Sequence, residues 1–230
     1  MDGTVNLIRP TVSARNEAAI VQAYLCVKRE ILSSPYKGEL LNLPRGPADV
    51  SESQFLRELA WVILSAGMAE LVIRSKFSDI SASFLEWASA RSISENAEEC
   101  VANALCHFRH EGKIRAIASA ADTLSAASSF EDLKEKILRD PIRELQSFAY
   151  IGPITAFHIA KNMGIRVAKP DRHLARLARS SGFESVEDFC GSIARFLGED
   201  IRRVDSVLWR FATIHQDYLL RFSQFKACNA

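Results

Sequence analysis

No stretch of this chain approaches the roughly 18 consecutive apolar residues of a membrane-spanning helix, and the N-terminal MDGTVNLIRPTV lacks the apolar centre of a secretory signal. The expectation is a cytoplasmic protein with no membrane partner. Cysteine is scarce and odd in number: Cys26, Cys100, Cys106, Cys190 and Cys228 are scattered thiols and no disulfide framework. Cys100, Cys106, His107 and His110 come near a zinc set, but no CxxC accompanies them and helical spacing puts Cys100 roughly opposite Cys106. The four-cysteine cluster of an iron–sulfur centre is also missing, so no metal or cofactor is expected. An excess of one charge is missing too: the net charge is +1, and any nucleic-acid contact must come from a local basic patch.

Alternating apolar and polar positions, the mark of a half-buried strand, are nowhere convincing, whereas 3.6-residue periodicity recurs along most of the chain. The fold class is therefore all-α. A first helix is expected from Ser13 to Leu32, with Ala19, Ile20, Tyr24, Val27 and Ile31 on its inner stripe. The connector SSPYKGELLNLPRGPADV follows. Ser51 with Gln54 three residues later forms a capping-box pattern that opens FLRELAWVILSAGM, the most apolar helix and the expected hub of the core. Further helices are expected at Ile80–Ala88, Ala97–Arg109, Lys113–Leu124, Phe130–Arg139, from Pro141, at His173–Ser180, Val186–Leu197 and Ile201–Phe222. Residues 1–50 are expected to pack with the C-terminal lobe, 51–165 to form a central helical lobe, and 166–230 to complete the second lobe.

Chemistry concentrates between Ala149 and Ala178. LQSFAYIGPITAFHIAKNMG reads as helix, tight turn, helix over residues 141–164, with Ile151-Gly152-Pro153 as the turn. Gly152 permits a backbone conformation or close approach that a side chain would obstruct, and Pro153 suits a first helical position, where no amide is needed. Free amides at this helix start can bind an anion, which on DNA is a phosphate. The same turn also serves a hairpin used only for packing. Lys161, Arg166, Lys169, Arg172, Arg176 and Arg179 then crowd around Asp171, a pattern that fits either a basic footprint or a solvated helix face with Asp171 as an N-cap.

Together these residues resemble the helix-hairpin-helix (HhH-GPD) DNA glycosylases, whose hairpin and catalytic aspartate read LPGIGxxTA and VDxHxxR. The corresponding stretches are FAYIGPITA, Phe148 to Ala156, and KPDRHLAR, Lys169 to Arg176, with nineteen positions from Gly152 to Asp171. WVILSAGM, ALCHFRHEGKIRAIASAA and VDSVLWRFA resemble other family segments, so the likeness runs from Gln54 to Phe211. It implies a two-lobed helical fold with the hairpin beside an interlobe pocket, and a monomer acting on double-stranded DNA, nucleoid-associated in a bacterium. It implies flipping of a modified base and hydrolysis of its N-glycosidic bond, with Asp171 stabilising the oxocarbenium-like sugar and activating water. It also implies DNA contacts from Tyr150, Ile151, Gly152, Ile154, Thr155, Lys169 and Arg172, and in some members a monovalent cation at the hairpin carbonyls.

Two departures from the family pattern matter. Ile154 stands where bifunctional members carry a Schiff-base lysine, which points to the monofunctional, 3-methyladenine-glycosylase-like branch without an iron–sulfur cluster. Gly67 stands where a bulky residue fills the gap left by the flipped base, making Met68 the candidate wedge. Trp61, Trp87, Tyr150, Phe157 and Trp209 are candidate stacking surfaces for the base, and Trp61 is grouped with Gly67 and Met68 at the expected pocket. An alkylated purine is the leading substrate, with oxidised, deaminated or hypermodified foreign bases as alternatives. The competing functions are a non-catalytic hairpin DNA-binding module and an interaction protein without DNA.

Overall fold

The computed structural model describes residues 14–41 and 46–227. The expected helix start at Ser13, part of the connector and Cys228 lie outside them. All regular structure among the described residues is helical.

The chain divides into two units, residues 1–41 with 170–230, and residues 42–169. In the first, α1 (Ala14–Leu32) packs on α12 (Val186–Leu197), α13 (Ile201–Ile214) and α14 (Tyr218–Ala227); α2 (Lys37–Leu41) and α11 (Arg172–Ser180) lie on α13. The stripe of Ile20, Tyr24, Val27 and Ile31 is fully buried, which is what its helical spacing requires. Tyr24 and Lys28 both bond Glu199, at 3.0 and 2.7 Å, so the one carboxylate reached from α1 by both is paired. The single helix expected over Ile201–Phe222 is instead two. His215 is extended at φ −118°, and its Nε2 lies 2.5 Å from Glu30 Oε1 on α1, so a tertiary polar contact interrupts a continuous apolar pattern.

The second unit is built around α3 (Glu52–Ser65), whose Phe55, Leu59, Val62 and Ile63 are buried and which touches α4 (Glu70–Ser83), α5 (Ala90–Glu95), α7 (Glu111–Ser125) and α10 (Pro153–Asn162). Its start is the capping box read from the sequence: Gln54 N–H donates to Ser51 Oγ at 3.2 Å and Ser51 N–H to Gln54 Oε1 at 2.9 Å. Helices α6 (Ala97–His107), α8 (Phe130–Arg139) and α9 (Pro141–Leu145) complete the unit. The expected helix at Ile80–Ala88 is a misreading of α4, which opens ten residues earlier at Glu70 and ends at Ser83. Ala69 supplies no side-chain cap there, so the sequence offers no start signal. Leu85, Glu86 and Trp87 follow with φ of 55°, 50° and 61°, a left-handed turn that no helical pattern foresees.

One glycine is demanded by the fold. Gly164, just past α10, has φ +90°, and a Cβ there would come within 2.7 Å of the Gly46 carbonyl carbon. The two backbones can approach only because Gly164 has no side chain.

Candidate functional site

In the second unit, α9 and α10 flank the hairpin turn. Leu145, Phe148 and Ile151 are buried on one side of it and Ala156, Ile159 and Ala160 on the other, so the turn is anchored by its own apolar residues. The Ile151 side chain thus belongs to the core, and only its backbone is at the turn. Thr155 Oγ1 accepts from Gly152 N–H at 2.7 Å and its hydroxyl donates back to Gly152 O at 3.0 Å. Pro153 has no amide. Among the described residues nothing accepts from the amides of Ile154 and Thr155, which are the two free donors of the α10 N-terminus, and no acidic residue stands in its first turn. A helix start so arranged favours an anion by both its donors and its dipole.

Gly152 itself is not there for its conformation. Its φ is −88°, open to any residue, and a Cβ added at this position would meet nothing nearer than Thr155 Oγ1 at 3.9 Å. The expectation that this glycine supplies a special backbone conformation is corrected, and the space beside it is open. Gly152→Ala is accordingly expected to leave thermal stability unchanged and to weaken binding to every duplex alike, by about tenfold, because phosphate contacts position without specifying. Duplex titrations beside a thermal melt check this. A changed base preference with unchanged affinity would show the hairpin reading to be mistaken.

The residue that does need a glycine's freedom is Tyr150, at φ +65° and 46% exposed. Its hydroxyl occupies the notch at Gly112, where any Cβ would collide with it, and its ring meets that of His110 edge-on at 6.1 Å. A bulky residue in the left-handed region costs of order 1–3 kcal/mol and persists only where the surroundings hold it. The tyrosine is therefore held in place, half exposed, beside the free amides.

The basic footprint is smaller than the sequence implies. Lys161 is buried, while Arg166, Arg172, Arg176 and Arg179 keep some or most of their surface and Lys169 is half-buried. Burial, then the charges of Lys169 and Lys161, hold the His158 imidazole well below its ordinary pKa. Ile154 is 48% exposed at the second position of α10.

At the α3–α4 turn, Gly67 has φ +72° and Met68 is 38% exposed. Trp61 is instead partly buried: its ring meets Phe77 edge-on at 5.0 Å and Arg74 lies over it at 5.7 Å. Trp87 is wholly core, stacked on Phe84 with its Nε1 donating to Ser81 Oγ at 3.0 Å, and so is removed from the candidate stacking surfaces. The residue missed in the sequence is Leu71, 80% exposed on the first turn of α4. Its signal was present: Ile73, Phe77 and Ile80 set the buried stripe, and Leu71 lies on the far side of it.

In the first unit, Asp171 caps α11. Its Oδ1 accepts from the amides of His173 at 2.9 Å and Leu174 at 3.0 Å, while among the described residues Oδ2 has no protein partner. The N-cap reading is thus correct, and it occupies only half of the carboxylate. None of the neighbouring arginines pairs with it; Arg172 Nε donates to His173 Nε2 at 3.3 Å instead. That bond puts the His173 proton on Nδ1, a buried atom with no partner, beside Tyr218 at 5.4 Å. Burial lowers the His173 pKa, opposed by Asp171 and aided by Arg172 and Arg176. The result is a half-buried, oriented carboxylate with one open oxygen.

No protein-family model matches the chain, and no curated protein matches it in sequence. Among solved structures it is similar to the 8-oxoguanine glycosylase/lyase of Methanocaldococcus jannaschii, in complex with a 15mer DNA containing 8-oxoguanine. The TM-score is 0.52 at 17% identity, covering 83% of this chain and 98% of that one. The chain shares the all-α fold of that protein.

Proposed function

We propose that this chain is a monofunctional DNA glycosylase that extrudes a modified base from duplex DNA and hydrolyses its N-glycosidic bond. The observation that carries the reading is Asp171, held by two amides at Oδ1 and open at Oδ2, at the position where the motif has its catalytic aspartate. As the bond from C1′ to the base breaks, the sugar gains positive charge, which the carboxylate stabilises. Water adds to C1′, Oδ2 receives its proton, and the free base leaves behind an abasic site. The amides of Ile154 and Thr155 hold a backbone phosphate, with Lys169 of the same unit adding charge; Arg172 makes a DNA contact of its own, and any monovalent cation would sit on the hairpin carbonyls. Tyr150 presents its ring to the DNA. The chain acts as a monomer.

An N-alkylated purine is the first substrate on the grounds of Ile154, and 8-oxoguanine the second, since the structural neighbour was solved with that base. The test is product analysis on duplexes carrying 3-methyladenine, 8-oxoguanine, hypoxanthine, uracil or a glycosylated cytosine. Excision appears as free base and as strands cleaved by hot alkali. Salt-sensitive duplex binding with no excision of any of them would leave a non-catalytic DNA-binding module.

A further inference from the structure

Lys113 is 3% exposed, and among the described residues no carboxylate pairs with it. Its Nζ donates to Leu64 O at 2.6 Å and to Ala66 O at 2.5 Å. These are end-of-helix carbonyls of α3. Met68 N–H has turned aside to Ser65 O at 3.0 Å, which leaves Leu64 O without the intrahelical donor it would otherwise have. A buried ammonium is costly unless its bonds are made, and the negative end of a helix is where a cation is best placed. Burial lowers the Lys113 pKa, and the two carbonyl bonds favour the charged form against it.

The place of Lys113 on α7 adds the second half of the argument. The first turn of α7 seats Tyr150 of the hairpin through Gly112 and His110, and one residue further on it grips the α3–α4 turn. Two loops far apart in sequence are therefore fixed on one rigid helix end. One carries the free amides, and the other carries Met68 and Leu71, two exposed apolar side chains.

We infer that Lys113 is a positioning residue, which fixes the turn at residues 66–68 so that Met68 and Leu71 enter the duplex at a set offset from the phosphate held by the hairpin. This rests on the glycosylase reading, in which an apolar wedge holds open the stack from which the base is extruded. The cost of misplacing such a wedge by about 1 Å reaches about 100-fold.

The experiment compares affinity for a duplex bearing a tetrahydrofuran abasic-site analogue with affinity for the same undamaged duplex. Wild type is expected to prefer the abasic duplex, whose gap accepts the wedge. Lys113→Met is expected to lower that ratio about tenfold or more, as are Met68→Ser and Leu71→Ser. A reduced folded fraction, or a general loss of positive charge, weakens both duplexes equally and cancels in the ratio. Lys113→Met with Met68→Ser is expected to lose no more than the worse single variant, since both act through one turn. An unchanged ratio in Lys113→Met, or losses that multiply in the double variant, overturns the inference while leaving the glycosylase reading intact. Should Lys113→Met not fold, the exposed Met68→Ser and Leu71→Ser decide, and unchanged ratios in both overturn it. Wild type without any preference overturns the inference, while excision from the modified-base duplexes decides the glycosylase reading separately.

Discussion

Asp171→Asn is expected to lower single-turnover base excision by about 100-fold or more while keeping, or tightening, duplex binding. Asparagine caps a helix about as well as aspartate, so the bonds from His173 and Leu174 to Oδ1 survive and α11 keeps its start. What disappears is the charge. The open Oδ2 is replaced by an amide that neither stabilises a cationic sugar nor takes a proton from water, and loss of one preorganised electrostatic contact of this kind costs about 100-fold or more. Binding gains because a negative charge near phosphate is removed. Asp171→Ala is the contrasting variant: it removes the cap as well, at about 1 kcal/mol of stability, so a comparison of melting curves separates the two roles. Undiminished excision by Asp171→Asn would sink the assignment.

The second expected result is that borohydride traps no covalent enzyme–DNA complex on a substrate the protein cleaves. Ile154 supplies no amine at the hairpin. Lys161 lies seven residues along α10, about 10 Å at 1.5 Å per residue, and is buried. Lys113 has its ammonium bound to two carbonyls in the core. The structural neighbour is a glycosylase/lyase, so fold alone leaves the question open, and the expectation rests on the side chain at position 154. The products are expected to be free base and an intact abasic strand that breaks only with alkali. A trapped complex that Lys169→Ala or Lys161→Ala abolishes would overturn monofunctional chemistry.

Much of the local structure was legible in the residues. The capping box of Ser51 and Gln54, the Phe130–Arg139 and Val186–Leu197 helices and the buried stripe of α1 follow from near-neighbour chemistry, which depends on spacing alone. The motif around Gly152 and Asp171 was legible for the same reason: a turn, a cap and a carboxylate are set by residues within a few positions of one another. Where reading failed, the cause lay elsewhere in the chain. His215, which follows the end of α13, meets Glu30 of α1, 185 residues away in the chain.

By itself the sequence determined the all-α class, the hairpin, the capping carboxylate and the missing lysine at position 154, since each is a matter of residue type and short-range geometry. Only the tertiary structure decided which of these groups are available. It took Lys161 out of the basic footprint by burying it, tied the Gly152 amide to Thr155 so that the amides of Ile154 and Thr155 are the ones left for an anion, and left Oδ2 of Asp171 open beside an arginine that bonds to His173. It also brought Lys113 beneath a turn 47 residues away and Gly112 beneath Tyr150. Availability depends on what each polar group meets across the fold, and in a chain of 230 residues those partners are chosen by packing, which no local spacing encodes.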